Sequence, residues 1–217
     1  MSKNKYYVVR QGKTPGIYFT WEDCKAQVNG YPNAQYRGFT NLHDAEVYLN
    51  TKSNTVTKEV KTQTETEVRK TKDKISNYAF VDGSYNDDLG IYGYGGIVHI
   101  ADKDGYDFDE EIKGSGREPE MAKMRNVAGE ILGAMAAVTC AIKYKLKEIT
   151  IFYDYSGIEM WATGAWKRNK KGTQDYYDFM QKAQKKIKIH FVKVKGHSGV
   201  EGNERADELA KQAVGLK

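Results

Sequence analysis

The sequence predicts an α/β protein in two unequal parts: a small N-terminal α/β unit, then a larger one whose five-stranded mixed sheet carries helices on both faces. Two strand patterns and one break in composition predict it. Residues 78–112 hold three runs of aromatic and β-branched residues separated by Gly-containing turns, as consecutive antiparallel strands require. Residues 149–153 are almost wholly apolar, as befits a parallel strand buried on both faces. Residues 51–77, without a single aromatic, Gly or Pro, divide the small part from the large one.

Composition narrows the function. Hydrophobic content of 40% and charged content of 29% over 217 residues describe a folded, water-soluble chain. The longest apolar stretch, residues 131–142, contains Thr and Cys and is too short to span a bilayer, so no membrane partner is expected. No apolar signal core follows the first residues, and Cys24 and Cys140 have no zinc spacing; buried thiols in a cytoplasmic monomer are the expectation. The net charge of +5 is unevenly placed. Residues 1–50 hold six basic and four acidic side chains, residues 51–77 seven and four, and residues 78–217 hold 21 of each. The positive excess therefore lies outside the larger part, as it would if a polyanion-binding module preceded an acidic site.

Taken in order, residues 5–10 read as a strand, 12–16 as a turn and 17–19 as a returning strand. Thr20 is an N-cap before Trp21, Glu22 and Asp23, opening a helix that reaches Val28 and stops at Gly30. Residues 35–39 form a third strand and 41–49 a closing helix. A unit of this size buries little and is marginal by size alone. Residues 51–77 have a Thr/Lys/Glu composition that cannot bury enough surface to order itself, and a tether of that length spans on the order of 25–30 Å. Beyond it come strands at 78–84, 91–100 and 106–112, and a polar loop over 117–126. A long helix over 127–144 follows, with Ile131, Leu132, Met135, Val138 and Ile142 as its buried face. Helices over 156–165 and 174–186 and a last strand over 187–194 complete the sheet.

Four carboxylates stand out against this frame. Asp82 lies inside a strand, Asp154 ends an apolar one, and Glu130 falls at the N-terminal end of the long helix. Charges at the positions of Asp82 and Asp154 oppose stability and are common at metal sites. The fourth, Asp207, follows a Gly-bounded loop presenting His197, on a helix where Asn203 and Glu204 are its i−4 and i−3 neighbours. Ala206, Leu209, Ala210 and Ala213 give that helix an apolar stripe. Hard divalent cations want such oxygen ligands. A metal-free pair of acids hydrolysing sugars would use two carboxylates and leave the others idle.

The stretches 78–84, 128–135, 149–155 and above all 195–210 (KGHSGVEGNERADELA) together resemble the ribonuclease H family of cellular type 1 over residues 78–215. The resemblance implies two Mg²⁺ ions, with Mn²⁺ as a substitute, held by Asp82, Glu130, Asp154 and Asp207, and His197 assisting proton transfer or product departure. It implies hydrolysis of the RNA strand of RNA/DNA hybrids, leaving 5′-phosphate and 3′-hydroxyl ends, with Asn126 and Asn203 at RNA-contacting or backbone-ordering positions. The basic run 166–171, including Lys167 and Arg168, suits DNA phosphates or is a solvated loop, with equal weight.

Residues 1–50 resemble the hybrid-binding, viroplasmin-like domain that precedes many ribonucleases H. That resemblance implies Tyr7, Trp21 and Tyr36 stacking on the DNA strand and Arg37 meeting phosphate, with weak binding of double-stranded RNA as well. Gly38 stands where a second basic residue is frequent. The alternative is that Trp21 and Tyr36 are core residues of a tiny domain. The implied organisation is a hybrid-binding domain (1–50), a linker (51–77) and a catalytic domain (78–217). A non-catalytic hybrid-shielding protein and an integrase-like nuclease are the rivals; four retained acids disfavour the first, and the 197–207 string the second.

Overall fold

A computed structural model describes residues 6–40, 45, 48–49, 75–101, 105, 107–195 and 200–216. The chain divides into two compact units, residues 1–58 and 59–217.

In the first unit, β1 (Tyr6–Gln11) is flanked by β2 (Gly16–Tyr18) and β3 (Gln35–Phe39), both antiparallel to it. The consecutive Tyr-Tyr-Val-Val of β1 follows from burial on both faces. Tyr6 and Val8 pack with Ala45, Ile17, Phe19, Phe39, Tyr48 and Leu49, while Val9 packs with Tyr18, Cys24, Tyr7 and Val28. Helix α1 (Trp21–Val28) begins where Thr20 caps it, the Thr20 hydroxyl accepting from the Asp23 amide at 3.1 Å. Of the closing helix read over 41–49, the described residues Ala45, Tyr48 and Leu49 are helical.

In the second unit the sheet order is β6-β5-β4-β7-β8, with β4 Tyr78–Asn86, β5 Ile91–Ala101, β6 Asp107–Gly116, β7 Glu148–Tyr153 and β8 Lys188–Lys193. The first three strands are antiparallel, and β7 and β8 run parallel to β4. The helices are α2 (Pro119–Ala122), α3 (Asn126–Lys143), α4 (Gly157–Ala162), α5 (Lys171–Ala183) and α6 (Glu201–Ala213). Among residues expected to end the linker, Ile75 packs on the cluster of Phe80, Phe152, Val194, Val200 and Ala206, and the Asn77 carbonyl accepts from the Thr150 amide at 3.1 Å.

Helices α3 and α6 lie on opposite faces, because neighbouring strand residues point oppositely. A Cβ on Gly83 would stand 2.3 Å from the Asn126 carbonyl oxygen of α3, whereas one on Gly95 would stand 2.2 Å from the Ala210 nitrogen of α6. The fit of α3 is closest at Gly129, where a Cβ would fall 1.9 Å from the Gly93 carbonyl oxygen. This approach corrects the buried face expected for the helix. Ala128, Gly133, Ala134, Ala137 and Ala141 join Ile131 and Val138 as buried, and Leu132, Met135 and Ile142 are only half-buried, because the close approach at Gly129 turns the Gly/Ala side of the helix inward. By length and a mean hydropathy of 1.2 the 18-residue α3 is apolar enough to cross a membrane, but 61% of it is buried inside this unit.

Two smaller corrections follow the local chemistry. The polar loop 117–126 contains the one-turn α2, which Pro119 starts by its fixed φ. Helix α5 begins at Lys171, three residues before its expected start, with Gly172 and Thr173 already buried and the Thr173 hydroxyl donating to the Lys170 carbonyl at 2.8 Å. The buried, free Cys24 and Cys140 agree with the expectation of buried thiols.

Candidate active site

The site arises where the sheet parts. The β4–β7 ladder ends at Phe80 opposite Phe152, whose rings stack at 4.7 Å. Two residues further along each strand come Asp82 and Asp154, so the register brings the two acids level at the carboxyl end of a parallel pair. Such ends of parallel strands are where open α/β sheets place their ligands. The close approach of α3 to Gly83 then delivers Glu130 from above, its side chain only 3% exposed. Carboxylate oxygens of Asp82, Glu130 and Asp154 lie within 4.8 Å of one another.

Gathering these charges has an electrostatic consequence. Burial first, and the neighbouring Asp154 second, push the Asp82 carboxyl up to about 8; hydrogen bonds from Glu130 and from the Gly83 amide, the latter at 2.7 Å, oppose the rise. Without a cation, the group holds a proton near neutrality. An oxygen-only donor set that resists carrying its own charge fits a hard divalent ion, which supplies the missing positive charge.

Asp207 on α6 is near enough for its charge to act on Asp82 but does not join the three that converge. Its Oδ2 instead accepts from the Lys211 ammonium one turn on, at 2.6 Å. Asn203 is buried one turn earlier, with its Oδ1 accepting no hydrogen bond. Asn126 opens α3, and the preceding Arg125 adopts φ 56°, in the left-handed region; its guanidinium binds Asp87 and lies 4.7 Å from the Tyr85 ring. Arg125 and Lys211 escaped the sequence reading, although the i, i+4 spacing of Asp207 and Lys211 was open to it. His197 lies outside the described residues.

Of the basic run, Lys167 is exposed. Arg168 is half-buried: it donates to the Trp166 carbonyl at 2.9 Å and covers the Tyr177 ring at 4.2 Å, so its charge is spent largely on local structure.

In the first unit the Trp21 ring lies 5.7 Å from Tyr7 on one side and 5.7 Å from Tyr36 on the other. Trp21 is 37% exposed and Tyr36 46%, so these are surface aromatics and the core alternative does not describe them. Arg37, next to Tyr36 on β3, lies on the other face by strand alternation, with its guanidinium 5.5 Å from Phe39; the structure does not bring it to the aromatic group.

Comparison with known proteins gives two domain matches. Residues 5–49 match the family described as the ribonuclease H1 N-terminal domain, and residues 76–215 match RNase H. Ribonuclease H1 of Rattus norvegicus is 24% identical over 96% of this chain and 89% of its own length. A ribonuclease H of Bradyrhizobium sp. (strain ORS 278) is 33% identical over 63% of this chain and 88% of its own. Among solved structures, the RNase H1 of Halobacterium salinarum superposes with a TM-score of 0.50 at 22% identity, covering 64% of this chain and 96% of that one.

Proposed function

From the premise that the chain belongs to the ribonuclease H family and is a ribonuclease H hydrolase, we propose that it cuts the RNA strand of RNA/DNA hybrids by an in-line attack on phosphorus, leaving 5′-phosphate and 3′-hydroxyl ends. The observation that carries this reading is the convergence of Asp82, Glu130 and Asp154 within 4.8 Å at the parting of β4 and β7. Asp82, Glu130 and Asp154, with Asp207 on the far side, would hold two Mg²⁺ ions, for which Mn²⁺ can substitute. When bound, such a pair lowers the pKa of water and neutralises charge on the departing oxygen.

The chain's own groups do the rest. Burial of Glu130 and Asp82 keeps the site dry enough for charge interactions to be strong. Asn203 lies buried one turn before Asp207 on the same helix. The Tyr7–Trp21–Tyr36 group offers ring faces to a sugar–base edge, and the net positive charge of residues 1–77 attracts the duplex from a distance. The 2′-hydroxyl is the feature by which a hybrid, and more weakly double-stranded RNA, is distinguished from DNA.

The direct test is incubation with labelled hybrid, double-stranded RNA and double-stranded DNA, each with Mg²⁺ and with excess chelator. Cleavage confined to the RNA of the hybrid, dependent on Mg²⁺ and reduced more than about a thousandfold by Asp82→Asn, is the expected outcome. Undiminished cleavage in chelator would sink the metal-dependent reading.

A further inference from the structure

Three of the four acids meet, and the fourth is paired elsewhere. The Oδ2 of Asp207 is engaged by the Lys211 ammonium at 2.6 Å. Asp82 and Glu204 also act on the ammonium electrostatically, so the pair lies within reach of the acidic group's field. The Asp207 side chain is 18% exposed and that of Lys211 is 42% exposed, so the lysine has a path into solvent that the aspartate lacks. A long aliphatic stem lets an ammonium swing outward while its carbons stay in contact with the helix.

We propose that Lys211 is a positioning residue for cation uptake: its ammonium occupies Oδ2 of Asp207 until a divalent ion displaces it. This rests on the two-ion reading above. Its consequence is an asymmetry between the two ions. The ion that takes Asp207 has to compete with a tethered cation already bound there, whereas Lys211 makes no such contact with the Asp82 group. A helix-surface ion pair, the ordinary reading of Asp and Lys four apart, would stabilise α6 slightly and leave cation binding alone.

The experiment is calorimetric titration of the full chain with Mn²⁺ in the absence of nucleic acid, with bound Mn²⁺ counted independently by electron paramagnetic resonance. Wild type, Lys211→Gln, Lys211→Ala and Lys211→Arg are compared, with Asp207→Asn as the control that removes the contested ligand. We expect the first binding event to be the same in all four lysine forms. The second should tighten by roughly fivefold in both neutral variants, the scale of one partly exposed charge pair, and stay at the wild-type value in Lys211→Arg. Asp207→Asn should abolish the second event with or without Lys211. Equal affinities and stoichiometry in wild type and both neutral variants would overturn the role of Lys211 while leaving the two-ion reading standing. Absence of any bound Mn²⁺ in every form would overturn both.

Discussion

At the scale of single residues, Asp82 carries the clearest physical signature. A carboxyl raised to about 8 by burial and by Asp154 is protonated in the folded, metal-free chain where the unfolded chain has already lost its proton. The sign follows from linkage. The stability this group contributes is whole below the unfolded value near 4, and it is lost progressively as pH rises toward 8. We therefore expect the melting temperature of metal-free protein to fall between about pH 4 and pH 8, and Asp82→Asn to flatten that fall. At pH 8 the variant should be the more stable, because it no longer buries an ionised carboxylate. Thermal melts in chelator at several pH values check this, and equal slopes for the two proteins would refute it. Asp82 and Asp154 were legible in the sequence because each breaks a local rule that stability alone would enforce, whereas Glu130, at a helix start where an acid is favourable, was legible only through the family resemblance. What the sequence left unseen were relations made by three-dimensional placement: the pairing of Asp207 with Lys211, and the turning of Arg37 away from the Trp21 group.

At the scale of elements, the site depends on how near α3 comes to the sheet. Strand alternation and helical spacing made the strands and most helices readable, because both periodicities are imposed by backbone geometry. Large apolar residues do not mark the buried face of α3, because its close approach at Gly129 turns a Gly/Ala row inward beside Ile131 and Val138. Two glycines on this helix test the point. A Cβ at position 129 would lie 1.9 Å from the Gly93 carbonyl oxygen, with backbone on both sides and nothing to yield. A Cβ at position 133 would meet the Cβ atoms of Tyr94 and Val81 at 3.3 and 3.4 Å. Gly129→Ala should cost about 1–3 kcal/mol by overpacking and, by lifting Glu130 from Asp82, lower Mn²⁺ affinity as well. Gly133→Ala should stay within about 1 kcal/mol of wild type, since the better helix propensity of Ala offsets the tighter contact. Denaturant melts and Mn²⁺ titration of the two variants would decide. Equal behaviour would mean that helix propensity, not clearance, governs α3.

At the scale of the whole molecule, charge and chemistry are segregated: the four candidate metal ligands lie in the unit beginning at residue 59, and the exposed Trp21 and Tyr36, with the half-buried Tyr7 beside Trp21, in the unit that ends at residue 58. The composition break was legible because a Thr/Lys/Glu stretch cannot form a core. That Ile75 and Asn77 belong with the sheet was not, because one Ile and one Asn carry no pattern of their own. A truncated chain for testing the division of labour should therefore begin at Ile75, which keeps the packing on Phe80 and Phe152 intact. Such a protein retains Asp82, Glu130, Asp154 and Asp207, so its kcat should remain within about threefold of wild type. Its KM for hybrid should rise by roughly ten- to a hundredfold, with a shallower salt dependence, as basic contacts are lost. Trp21→Ala in the full chain separates stacking from charge. An aromatic contact is worth about 1–3 kcal/mol in binding, so this one change should raise KM by roughly five- to a hundredfold while leaving the salt slope as it was. Because Trp21 is 37% exposed, the melt should survive the substitution. A truncated protein that folds yet is inactive even at saturating hybrid would show that the first unit takes part in the chemical step. A Trp21→Ala variant with unchanged KM would mean that residues 1–58 attract the duplex by charge alone.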